Sequence, residues 1–144
     1  MTSNDRLGRA AQHQAARSGR FFRGIVIEGK EKAITCARIA DDMKARDITI
    51  LDLREISEVT EYFVISTVDN PRQLRALWTR IRHHFKKQKL LPLGEETDSD
   101  KWVLVDYNDV VVHIFLGEFR EFYDLELLWG DAPRVDWQAK ATKK

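Results

Sequence analysis

Two apolar runs, WVLVDY at 102–107 and VVVHIFL at 110–116, are separated only by Asn108 and Asp109. Such a pair between apolar runs specifies a two-residue β-hairpin. That hairpin sets pairings before anything else in the chain is considered. Tyr107 faces Val110, Asp106 faces Val111, Leu104 faces His113 and Trp102 faces Phe115. Side chains alternate across a strand, so one face collects Val103, Val105, Tyr107, Val110, Val112, Ile114 and Leu116, which reads as core. The other collects Trp102, Leu104, Asp106, Val111, His113 and Phe115. A carboxylate is costly to bury unless it is paired, so this second, mixed face is expected to stay partly exposed or to be covered by something that satisfies Asp106.

The remaining patterns supply the layers around the hairpin. Ala33, Cys36, Ala37, Ala40 and Met43 recur at helical spacing and predict a helix over 31–46. Ile48–Leu53 and Tyr62–Thr67 are β-branched runs apolar on both faces, as in strands of a sheet covered on both sides. Asn70 is a fitting N-cap, Pro71 suits the first helical position and Gln73 can close a capping box. Leu74, Leu77, Trp78, Ile81 and Phe85 then form an apolar helical stripe. After Gly117 an aromatic helix is expected, carrying Phe119, Phe122, Tyr123, Leu125, Leu128 and Trp129 and stopped by Gly130. An extended segment, 131–135, should follow across the body. The order helix, strand, strand, helix, strand, strand, helix predicts a single α/β domain with one mixed sheet and helices packed on it. A helix separates the strand at 62–67 from the one at 102–107, which allows those two to run parallel.

Charge divides the 144 residues into three. Residues 1–32 carry seven Lys/Arg and three Asp/Glu (+4), 33–137 carry fourteen and twenty (−6), and 138–144 carry three lysines (+3), which returns the net +1. Residues 1–30 read as a basic, disordered arm, 31–137 as the folded domain and 138–144 as a lysine-rich tail. An acidic body with basic arms suits a basic protein partner better than bare nucleic acid. No apolar window is long enough to cross a membrane, and one cysteine permits no internal disulfide, which fits a reducing compartment. A bacterial cytoplasm is the expected location, with organelle import through the arginine-rich arm the lesser alternative.

Catalytic chemistry is thinly represented. Asp106, Asp109 and His113 are the local candidates for acid–base or metal-assisted work. The chain has no glycine-rich phosphate loop, nucleophile elbow or zinc-ligand spacing. The helix after Pro71 presents Arg72, Arg75, Arg80, Arg82, Lys86, Lys87 and Lys89 with no acid among them. Arg72, Arg75, Arg82 and Lys86 could contact RNA phosphates, though such an arc is also what a solvated helix face looks like. Aromatic anchors beside a lone charge on a rigid ribbon have the composition of an interface hot spot. Docking, RNA binding and a small metal-dependent enzyme therefore all stay open at this level.

The motifs DITILDL at 47–53, YFVIST at 62–67, WVLVDY at 102–107, DVVVH at 109–113 and YDLELLWGDAP at 123–133 resemble, in order and spacing, the ribosomal silencing factors, also called the Iojap family. The resemblance spans Ala33 to Trp137. It implies a fold similar to nucleotidyltransferases without their catalytic residues, no enzyme activity, no cofactor and no metal. It also implies binding to ribosomal protein fourteen of the large subunit, on the face that meets the small subunit. Subunit joining would be obstructed and translation lowered when nutrients are short. Trp102 and Asp106 match positions that family uses at its ribosomal contact. On that basis Trp102 and Phe115 are expected to anchor the partner, with Leu104 packed between them and Asp106 facing a partner Lys or Arg. His113, Tyr123 and Trp129 are expected to support the platform. Where the family usually has a Gly-Thr-Ser-like turn, this chain has Val68-Asp69-Asn70-Pro71. The basic arms bring ribosomal RNA into reach. A monomer is expected on the ribosome, with a homodimer through the mixed face an alternative for the free protein.

Overall fold

A computed structural model of the chain describes residues 28–125 and 129–138. Most of the arm, 1–27, and of the tail, 139–144, lies outside the described residues, as do 126–128. The elements are α1 (Gly29–Asp42), β1 (Arg46–Asp52), β2 (Tyr62–Val68), α2 (Pro71–Lys86), β3 (Gly94–Glu96), β4 (Trp102–Asp106), β5 (Val110–Leu116) and α3 (Phe119–Tyr123). They form a single α/β domain around one mixed sheet in the order β1-β2-β5-β4-β3.

The hairpin register is the one its turn dictates. Trp102 faces Phe115, Leu104 faces His113 and Asp106 faces Val111. Asn108 takes the turn's left-handed conformation at φ 83°, which asparagine tolerates better than most residues. Tyr107 N–H donates to the Val110 carbonyl at 2.8 Å and closes the turn.

The parallel pairing differs from expectation. β2 runs parallel to β5, with Tyr62 beside Val110, and β5 is antiparallel to β4. The strand at 102–106 is therefore antiparallel to β2. The strand that returns parallel to β2 after α2 is the short β3, whose residues carry no strand pattern; it pairs with β4 through Gly94–Asp106 and Glu96–Leu104. The β2–α2–β3 crossover thus skips two positions, and the β4–β5 hairpin fills them.

Three element ends also move. Helix α1 starts at Gly29, two residues earlier than expected, and stops at Asp42, with Lys44 at φ 68° just beyond it. The aromatic helix is interrupted: Asp124 takes a left-handed φ of 46° directly after Tyr123. Helical bonding resumes with Trp129 N–H donating to the Leu125 carbonyl at 3.0 Å. The extended segment near 131–135 is present and stitched to the outer edge of β1. Asp52 N–H donates to the Pro133 carbonyl at 2.8 Å, Val135 N–H donates to the Ile50 carbonyl at 2.9 Å, and Leu51 and Arg134 form an antiparallel bridge.

The sheet separates two cores. On one side α1 and α2 cover Ile50, Val64, Val103, Val105, Val112 and Ile114, the side the hairpin pattern assigned to core. On the other, Leu51, Leu53, Phe63, Ile65, Trp102, Leu104, Val111 and Phe115 lie beneath Tyr123, Leu125, Trp129 and Ala132.

Candidate partner-binding platform

The mixed face of the hairpin is assembled as its spacing requires, but it is not exposed. Trp102 and Leu104 are each 1% accessible, and Asp106, His113 and Phe115 are 0%. The expectation of a partly open patch is therefore corrected, and with it the assignment of Trp102, Leu104, Phe115 and Asp106 as surface anchors. The physical reason lies in the neighbouring strands. β1 and β2 place Leu51, Leu53, Phe63 and Ile65 on the same side. A continuous apolar sheet face of that extent must be covered.

Within this layer the polar groups are organised by the hairpin itself. Trp102 Nε1–H donates to His113 Nδ1 at 3.0 Å. An accepting Nδ1 requires a neutral ring with its hydrogen on Nε2. His113 therefore fixes the orientation of the indole within the layer. Asp106 Oδ1 accepts from Asn108 N–H at 2.8 Å, so this carboxylate braces the turn as an Asx motif instead of facing outward to a partner.

The rings form one cluster, stacked at Trp102–Phe115 and edge-on around Phe63. Trp102 lies 5.1 Å from Phe115 and 4.5 Å from Tyr123, and Phe63 lies 4.5 Å from His113 and 5.7 Å from Trp129. Tyr123 and Trp129 are half-buried and close the outer side. They are the members of the expected site that reach solvent, at the level of a lid above the platform. α3 is pinned to the sheet by Arg120, which donates to Thr67 Oγ1 at 3.1 Å, to Thr49 Oγ1 at 3.0 Å and to the Asp47 carbonyl.

Asp106 and Asp109, the two carboxylates an enzyme reading would use together, point to different sides of the sheet. Asp109 is paired with Lys32 of α1, a lysine only 6% accessible whose Nζ also donates to the Tyr107 carbonyl at 3.3 Å. Glu61 approaches the same corner: a methyl group at Gly29 would lie 2.9 Å from Glu61 Oε1 and 3.0 Å from Asp109 Oδ2. Partial burial first, then the Asp109 charge, raises the Glu61 carboxyl above its usual value. Sequence reading missed this corner; its one signal was a lysine in the first turn of a helix whose other inward positions are uncharged. Cys36 is sealed in the core, and burial pushes its thiol up to about 12, which fits a packing role. Among the described residues no group of three or more His, Cys, Asp or Glu side chains is arranged to hold a metal ion. No described helix is long and apolar enough to cross a membrane.

The helix face expected to meet RNA is only partly available. Arg75 is 3.3 Å from Asp100 and Arg82 is 3.3 Å from Glu95. Arg72 and Lys86 stand exposed.

Comparison with known proteins decides the family. Residues 27–144 match the family described as "Ribosomal silencing factor during starvation". The chain belongs to that family. Among its relatives is the ribosomal silencing factor of Bacillus subtilis, 41% identical over 101 residues, a match covering 69% of this chain and 86% of that protein. The chloroplastic protein Iojap of Zea mays is 36% identical over 104 residues, covering 72% of this chain and 46% of the plant protein. A mouse protein named for mitochondrial assembly of the ribosomal large subunit is 35% identical over 89 residues, covering 59% of this chain and 39% of its own. The fold of this silencing factor is also that of a crystal structure from Chromobacterium violaceum. The TM-score is 0.69 at 34% identity, covering 72% of this chain and 88% of the other.

Proposed function

We propose that this silencing factor docks on the large ribosomal subunit through its ribosomal protein fourteen. There it occupies the surface where the small subunit must land, and so lowers translation when nutrients are scarce. The family match across residues 27–144 carries the reading. The relatives named as ribosomal silencing factors, and the mouse relative named for the large subunit, support it. The mechanism is occupancy. A folded body of 16.8 kDa at the joining surface needs affinity and position, and no bond is made or broken. The acidic body suits a basic ribosomal protein.

In this reading the contact is made by the lid. Tyr123 and Trp129 offer half-exposed aromatic surface, and Trp102, Leu104, Phe115, Asp106 and His113 act beneath them by fixing the stack. Rigid aromatics held in one orientation lose little entropy on binding. The protein would work in the bacterial cytoplasm, as a monomer when bound.

Co-sedimentation tests both levels. The protein should pellet with isolated large subunits and be depleted from assembled ribosomes. The double variant Tyr123→Ser/Trp129→Ser should keep its fold by circular dichroism and lose affinity for large subunits by at least tenfold, about 1.4 kcal/mol. Equal recovery from large subunits and joined ribosomes would overturn the mechanism. Undiminished binding by the folded variant would overturn the lid as the contact.

A further inference from the structure

Among the described helices, α2 carries the most one-sided charge. Its inner stripe, Leu74, Leu77, Ile81 and Phe85, is at most 2% accessible and fully used in the core. Its outer arc carries Arg72, Arg75, Arg80, Arg82, Lys86 and Lys87, all exposed. Among the described residues, no carboxylate lies within ion-pair distance of Arg72, Arg80, Lys86 or Lys87. Arg72 to Lys86 is fourteen residues, about 21 Å at the helical rise, enough to follow several phosphates. Like charges crowded along one helix oppose its stability, so an arc kept this uniform is in want of an anion.

The chemistry of the arc selects among anionic partners. Its one exposed ring is His83, and a single imidazole gives no row of platforms on which successive bases could stack. Its exposed positions hold no apolar residue for a bilayer, because the helix packs its apolar stripe inside the protein. Arginine and lysine spaced along a rod, with nothing to read bases, fit a double-helical phosphate backbone.

The two cations that are engaged show what the arc meets in the protein's own chain. Asp100 takes Arg75 and Glu95 takes Arg82, both from the acidic segment of β3 and the β3–β4 connection. Arg75 is 60% exposed, Arg82 45% and Asp100 65%. Ion pairs this open hold weakly and yield to a denser anion.

We propose that the outer face of α2 docks on the phosphate backbone of double-helical RNA, and that the acidic β3–β4 segment competes with the RNA for Arg75 and Arg82. This surface lies on the side of the sheet opposite the lid, so it does not depend on the protein contact proposed above.

Fluorescence anisotropy with the full chain and an RNA duplex of about 16 base pairs tests it. If three phosphates are engaged, affinity should fall about 20-fold between about 50 and about 150 mM salt. Arg72→Glu/Lys86→Glu should bind at least tenfold more weakly at the lower salt and lose most of the salt dependence. Glu95→Gln/Asp100→Asn should bind several-fold more tightly. Charge reversal without effect would assign any RNA binding to the basic arms and overturn the proposal. So would binding to phosphatidylglycerol vesicles in place of RNA. Neutralised acids that leave affinity unchanged would overturn the competition.

Discussion

Trp102 is held on three sides at once: by Phe115 beneath, by Tyr123 outside, and by the hydrogen bond from its indole to His113. Removing the ring leaves a cavity and strips the imidazole of its donor. Trp102→Ala should therefore cost about 3–5 kcal/mol of folding stability, read as a shift in urea midpoint. A variant as stable as the parent would show the stack to be looser than described. The placement of this residue was legible in the chain: which residues share its face and which residue lies opposite. Its exposure was misjudged because the carboxylate of Asp106 argued for water. A backbone N–H two residues on, at Asn108, already meets one oxygen of that carboxylate. The doubly apolar runs at 48–53 and 62–67 already required a cover on both sides, and that constraint outweighs one acid.

Helix α2 is the element whose sequence and structure agree most closely, because its signals are local. Asn70 Oδ1 accepts from Gln73 N–H at 2.8 Å, and Pro71 occupies the first turn. Gln73 closes the box one residue further out than expected, accepting from Asp69 N–H at 2.9 Å. Its amide also donates to the carbonyls of Met43 and Lys44. One side chain thus caps α2 and ties it to the end of α1. Asn70→Ala should lower stability by about 1 kcal/mol, measurable by thermal or urea unfolding; no change would mean that Gln73 alone secures the terminus. The aromatic helix shows the opposite case. Its periodicity runs through Asp124 without a break, and only tertiary packing reveals the left-handed turn there. β3 was illegible for a related reason: three residues of Gly-Glu-Glu carry no strand pattern, and their pairing with β4 is set by the crossover.

At the level of the whole molecule, the 133–135 segment shields the outer edge of β1, which would otherwise present unpaired backbone groups. Ending the chain after Gly130 removes the two backbone hydrogen bonds to β1, the bond from Ala132 N–H to the Trp129 carbonyl, and the buried Ala132 itself. The shortened protein should lose about 2 kcal/mol or more. It should also self-associate through the bared strand, seen as a concentration-dependent mass in light scattering. A monomer of unchanged midpoint would show the segment to be ornamental. The number of layers and the single mixed sheet followed from the pattern of elements, whereas strand order did not, since nothing local states that a hairpin is inserted between a strand and its crossover partner. That insertion bears on how the chain reaches its native state. β5, the last strand to be synthesised, is flanked by β2 and β4, and Tyr62 must wait for Val110, 48 positions later. Non-local pairing of this kind slows folding, so the nascent chain cannot close its sheet until Leu116 has left the exit tunnel. Up to that moment the inner margins of β2 and β4 lack their common neighbour.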